Sequence, residues 1–277
     1  MKVKRIIDRT ISYSFFFITL MIVLFPVGWI LITSLKTEVQ MFAIPPVLIP
    51  KPTTFLHYRD VIFNSPFVRQ LINSFITSFV STCLSLIFGI PAAYGFARFS
   101  TRSAHRIIFY LITAVRMVPQ IVMVIPFFLI VSMLGLSDTR FALITVYLPF
   151  QMTLVIWILK NFFQTVPHEI EEAAEIDGLS VFQRLIKIII PLCTSSIGVS
   201  AMLAFLFSWN EFMFALSLTS RQAQTLTVGI AGYVTSFQTF WGKMSASAIM
   251  FMLPAIVLTL LFQKGMVKGL TAGAVKG

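Results

Sequence analysis

Along this chain apolar residues run on for about 20 positions at a stretch, the length a helix needs to cross a hydrocarbon slab roughly 30 Å thick. Short polar clusters separate the runs. The pattern predicts an all-α integral membrane protein with six transmembrane helices, at 11–32, 71–97, 107–131, 141–159, 194–216 and 245–262. The even number places both termini on one side. The first run follows Lys2, Lys4, Arg5 and Arg9 as in a signal sequence, but it is too long for that and lacks a small-residue cleavage site, so it reads as a retained span. The whole is one membrane domain: a first span and external loop (1–67), a five-helix bundle (68–265) interrupted by a polar loop at 161–190, and a tail (266–277).

Side-chain size adds detail within the runs. Ser81, Ser85, Gly89, Ala93 and Ala97 recur every fourth residue in the second span, a ridge where another backbone can come close, and Ser200, Ala204 and Ser208 repeat it in the fifth. Both ridges read as helix packing inside the bundle. Pro26, Pro91, Pro119, Pro126, Pro149 and Pro254 lie within or near the ends of spans, where each removes a backbone donor and invites a kink. Between the first two spans, Pro45, Pro46, Pro50, Pro52 and Pro66 punctuate a loop that carries the amphiphilic stretch Phe55, Leu56, His57 and Tyr58, and this loop should be partly ordered.

Composition sharpens the membrane reading. Of 277 residues 57% are hydrophobic and only 11% charged, with a mean hydropathy of +0.91. The net charge of +11 does not point to nucleic acid, because Lys and Arg are dispersed as short clusters between apolar runs. They act as topology signals. Arg98, Arg102 and Arg106, then Lys160, Arg184 and Lys187, then Lys264, Lys268 and Lys276 fall on the same side as the N-terminal cluster, so the positive-inside rule puts both termini in the cytoplasm. Cys83 and Cys193 lie in apolar segments without metal-ligand spacing and read as free thiols. His57, His105 and His168 are isolated and carry no assigned chemistry.

The polar loop between the fourth and fifth spans holds most of the information. Pro167 suits a first helical turn, Glu169, Glu171 and Glu172 complement the positive end of the helix dipole, and Gly178 is a natural left-handed stop. Ser180 and Gln183 make a capping-box pattern that restarts a helix, and Pro191 interrupts it before the fifth span. On the first of these helices Ile170, Ala173, Ala174 and Asp177 share one side, a surface shaped for close approach to a partner. An ordinary solvated amphipathic hairpin would look the same.

The loop resembles the EAA motif of ABC import permeases: Glu172-Ala173-Ala174, Gly178 and Ile188-Ile189-Ile190-Pro191 stand at the family's spacings, with Ile190 where the family prefers Leu. Pro91 to Phe99, Arg116-Met117-Val118-Pro119, Ser208 to Phe212 and Gly269 to Gly277 resemble the carbohydrate-uptake branch, notably the smaller permease of maltose importers. The resemblance implies a type I importer permease in a bacterial or archaeal cytoplasmic membrane, paired with a second permease, two copies of a cytoplasmic ATPase and an extracytoplasmic binding protein that delivers a sugar. It further implies that Glu172, Ala173, Ala174, Asp177 and Gly178 couple to the ATPase, and that ATP and Mg are bound there and not here. The chain has no GxxxxGK[ST] loop for phosphates.

Four polar residues lie at membrane depth. Arg116 falls about 14 Å into its span, counted at 1.5 Å per residue, and should turn into the bundle as a pathway residue or as a charge that locks helices or permeases together. Trp209, Asn210 and Glu211 could meet sugar hydroxyls by stacking and hydrogen bonding, or contact the partner permease or binding protein. A glycerol-phosphate or sugar-alcohol cargo stays open. An ion-coupled transporter would show inverted repeats, and a membrane enzyme would show a constellation of His, Asp, Ser or Cys; the sequence shows neither.

Overall fold

The computed structural model describes the backbone of residues 2–99 and 103–272, with side chains described over 12–99 and 105–263. The helices are α1 (Lys2–Ser34), α2 (Glu38–Met41), α3 (Leu56–Asn64), α4 (Phe67–Arg98), α5 (Ser103–Ala114), α6 (Gln120–Met133) and α7 (Arg140–Phe163). After them come α8 (His168–Ile176), α9 (Val181–Arg184), α10 (Ile190–Leu192), α11 (Thr194–Trp209), α12 (Met213–Leu218), α13 (Leu226–Ala231) and α14 (Trp241–Ala272). A tight 3₁₀ turn, Val115–Met117, follows α5, and a wide π-helical turn, Leu185–Ile189, joins α9 to α10. The tail motif Gly269 to Gly277 falls where side chains are not described, and 273–277 lie outside the described residues altogether.

Four helices are long and apolar enough to span a membrane: Ser12–Ser34, Phe67–Arg98, Arg140–Phe163 and Trp241–Gln263. The expected third span is not one straight helix. His105–Met117 and Gln120–Met133 meet at 96°, because Pro119 lacks an N–H and pushes Val118 into an extended conformation (φ −76°, ψ 121°). The expected fifth span, 194–216, is broken once, and a bend lies just before it. Val181–Leu192 and Thr194–Trp209 meet at 84°, with the bend at Cys193 and not at Pro191, which sits inside α10. At the other end, α11 stops at Trp209 and α12 restarts at Met213. Each bent pair counted as one span brings the number to six.

The chain divides into two compact units, 1–68 with 229–253, and 69–228 with 254–277. In the second unit α7 is the axis, the most buried of the spanning helices. Its first half joins Val131, Phe214 and Leu218 in one apolar cluster, and its second half packs with Ala93, Tyr94, Leu185 and Ile189 in another. The small-residue ridges make these close approaches possible. A Cβ on Gly89 would come 2.8 Å from Val155 Cγ1, and Ser81, Ser85 and Ala93 beside it are fully buried. On the other side Gln151 reaches from α7 to the carbonyl of Ala204 and the hydroxyl of Ser208. Cys83 and Cys193 are free thiols.

In the first unit, α1 has no buried position within its spanning window, and large apolar side chains such as Tyr13, Phe16 and Phe25 are exposed. Such a surface is stable in lipid and not in water. The loop after α1 is ordered by α3. Tyr58 hydrogen-bonds Ser34 at 2.7 Å, and the buried His57 ring reaches the Lys36 carbonyl at 2.9 Å. Gly242 leaves room for that imidazole, since a Cβ there would lie 2.4 Å from it. Lys243 pairs with Asp60 at 3.2 Å.

Candidate functional site

The polar loop folds as the sequence predicts. Helix α8 ends in a Schellman motif: Gly178, at φ +86°, donates its N–H to Glu175, and Leu179 donates to Ala174. Ser180 then accepts from the Gln183 N–H while the Gln183 side chain accepts from the Ser180 N–H, a complete capping box that starts α9. These two devices carry the chain from α8 into α9.

Glu171, expected to serve the helix dipole, and Arg98, expected only as a topology charge, together fix this hairpin to the bundle. Glu171 points inward, where its carboxylate accepts hydrogen bonds from the Tyr94 hydroxyl and from Arg98 Nε at the end of α4. Arg98 also donates to the Val166 carbonyl at 3.0 Å. Both partners of the ion pair are nearly sealed, with side-chain exposures of 4% and 7%. Tyr94 and Arg98 stand four residues apart and so share one face at the end of a spanning helix, but only the fold sets that face against α8.

The candidate docking residues divide accordingly. Ala174 is buried against the chain's own bundle, whereas Glu172, Ala173, Asp177 and Gly178 are exposed. The side shared by Ile170, Ala173, Ala174 and Asp177 is therefore split, because α8 lies on the bundle through Glu171 and Ala174. Ile176 projects at 88% exposure, an apolar side chain on a polar helix with nothing covering it.

The residues at membrane depth behave differently from expectation. Arg116 does not turn into the bundle; it is exposed in the 3₁₀ turn where the third span breaks. Beside it Thr113 and Trp157 line a concavity of about 260 Å³. Trp209 is 1% exposed and stacks on Phe205 at 5.4 Å, so it has no face to offer a sugar. Asn210 is exposed, but its amide caps α11 by donating to the Leu206 carbonyl. Glu211 is buried, accepting from the Tyr147 hydroxyl at 2.9 Å, the Phe214 N–H at 2.8 Å and the Ala215 N–H at 3.1 Å. It caps α12. Hydropathy alone could not reveal that this stretch is a break held by its own carboxyl group.

At the end of the bundle opposite α8, Asp138 plays a similar part. It sits at φ 58°, a conformation Asp tolerates, and accepts from the backbone N–H groups of Ser220, Arg221, Gln222 and Ala223. Burial pushes its pKa up, but these donors outweigh burial and hold the carboxyl far below the usual range. Asn73 extends the network, donating to Gln222 and Gln224 carbonyls and accepting from Arg140. A depressed folded pKa contributes stability that is full above the unfolded value of about 4 and is lost as pH falls below it. Asp138→Asn should therefore cost about 1–2 kcal/mol at neutral pH. The gap in melting temperature between wild type and variant should close in acid; a gap independent of pH would remove the charge from this account.

The described residues contain no group of three or more His, Cys, Asp or Glu that could hold a metal ion. What the fold and the hairpin define is a multi-pass helical membrane component, with a surface helix tied to the end of a spanning helix. The chain belongs to the binding-protein-dependent transport system inner membrane component family, whose model matches residues 85–270. It is 36% identical to the sulfoquinovosyl glycerol transport system permease protein SmoH of Agrobacterium fabrum, over 92% of this chain and 89% of that one. It is 37% identical to the trehalose transport system permease protein SugB of Mycobacterium tuberculosis, over 92% and 93%. Its fold is that of a chain in a bacterial ABC transporter involved in the import of alginate, with a TM-score of 0.76 at 23% identity over 93% of this chain and 96% of the other. The chain is accordingly a permease subunit of an ABC importer and not an enzyme.

Proposed function

We propose that the chain forms half of the translocation path for a sugar or oligosaccharide handed over by an extracytoplasmic binding protein, and that α8 is its contact with a cytoplasmic ATPase. The second half is a related permease, and two ATPase copies bind ATP and Mg. The observation that carries this reading is the clamped hairpin: an exposed face with Glu172, Ala173, Ile176 and Asp177, backed by the Glu171–Arg98 pair that ties it to a spanning helix. Motion imposed on α8 by closing ATPases has a direct route into α4. A sugar cargo is supported by the relatives, named for trehalose and for sulfoquinovosyl glycerol. The lysine and arginine bias supports cytoplasmic termini in a bacterial or archaeal cytoplasmic membrane.

Arg116 belongs to the path. An exposed guanidinium at membrane depth is costly against lipid, so it faces water or protein. With Thr113 and Trp157 it offers a charge, a hydroxyl and an aromatic plane, the elements that hold sugars.

The test is uptake of labelled sugar into proteoliposomes holding the chain with its partner permease, ATPase and binding protein. Gly178→Val forces a β-branched residue to φ +86° and should lower ATP-dependent uptake about tenfold, while Gly178→Asn, which tolerates that conformation, stays near wild type. Equal uptake by both variants in an intact complex would sink the coupling role. Uptake that needs an ion gradient and no ATPase would sink the whole reading.

A further inference from the structure

In the first unit, Lys36 is 3% exposed and has no carboxylate partner among the described residues. Its ammonium lies 4.4 Å from the centroid of the Trp29 ring and lines a cavity of about 290 Å³ with Ile30, Thr33, Met244 and Ser245, and Trp241 at the rim. Buried charges are ordinarily paired, because removing an ion from water without a counter-ion is costly. A cation–π contact alone offsets only part of that cost.

Position in the membrane says what the missing partner is. Trp29 lies one to two turns inside the end of α1, and Trp241 is the first residue of α14. Tryptophans at the ends of two spanning helices mark headgroup depth. The cavity is amphipathic in the matching sense, with Ile30 and Met244 on its apolar wall and Thr33, Lys36 and Ser245 supplying donors. From this geometry we infer that the cavity binds the phosphate headgroup of an anionic phospholipid, with Lys36 as the charge that neutralises it, Thr33 and Ser245 as hydrogen-bond donors, and the two indoles flanking the glycerol region. The site shares no residue with α8 or with the Arg116 concavity, and does not depend on the cargo.

The experiment is native mass spectrometry of the assembled transporter, released from nanodiscs of phosphatidylglycerol mixed with phosphatidylcholine, alongside melting temperatures in each lipid and in inorganic phosphate. Wild type should retain phosphatidylglycerol and melt higher with it. Lys36→Met should weaken retention about fivefold, the loss expected for one lysine at a membrane surface, and Lys36→Arg should restore most of it. Trp241→Ala, at the exposed rim, gives the same readout should Lys36→Met fail to fold, and is also expected to lower retention. Retention of phosphatidylglycerol that is unchanged in Lys36→Met, or in Trp241→Ala where that variant stands in, would overturn the site. So would equal stabilisation by inorganic phosphate, which would make the occupant a free anion and not a lipid.

Discussion

Arg98→Ala should reduce ATP-driven uptake to background while the transporter still assembles, and should destabilise the permease by about 3–5 kcal/mol, the usual result of stranding one member of a buried ion pair. Glu171 would keep only the Tyr94 hydroxyl, and the Val166 carbonyl would lose its donor. Arg98→Lys restores the charge but not the fork that holds Glu171 and Val166 together, so it should recover stability more than transport. Melting temperature and uptake, read in the same preparations, separate the two effects. Wild-type uptake in Arg98→Ala would show that motion does not travel from α8 into α4 by this route.

Glu211→Ala is the second large effect. It leaves two backbone N–H groups and a buried phenol without an acceptor, a loss of about 3 kcal/mol. Tyr147→Phe removes only one of the three donors and should cost about 1 kcal/mol. Because Glu211 is turned into the protein, the relative uptake of different sugars should be the same in Glu211→Gln as in wild type, though the variant melts lower. A changed order of preference among sugars would return Glu211 to the cargo path.

The spanning helices and the α8 hairpin were legible because each is written in local chemistry: long apolar runs, a glycine at the left-handed turn, Ser180 and Gln183 at the restart. What was not legible is which way a side chain faces. Lipid and protein interior are equally apolar, so hydropathy sees Trp209 and Trp157 alike, although one is sealed by Phe205 and the other is exposed. Breaks within spans are hidden for the same reason. Pro119 was noticed as a possible kink, but a 96° bend that exposes Arg116 depends on what α5 and α6 pack against. Glu171 was read as one of three carboxylates serving the helix dipole; only the fold brings Tyr94 and Arg98 to it. Asp138 gave no signal, since its partners are the backbone of a loop 82 to 85 residues further on.

The π-helical turn at Leu185–Ile189 sets a constraint of another kind. Its two ends, Leu185 and Ile189, are both sealed in the inner apolar cluster. A π-helical turn is one extra residue taken up within a helix, so deleting one residue there would rewind the turn to ordinary α-helix and leave α11 in register with Gln151. The constraint on residue count therefore falls on the regular helix Thr194–Trp209, where one lost residue would swing everything beyond it by about 100°, while the π turn can give one up.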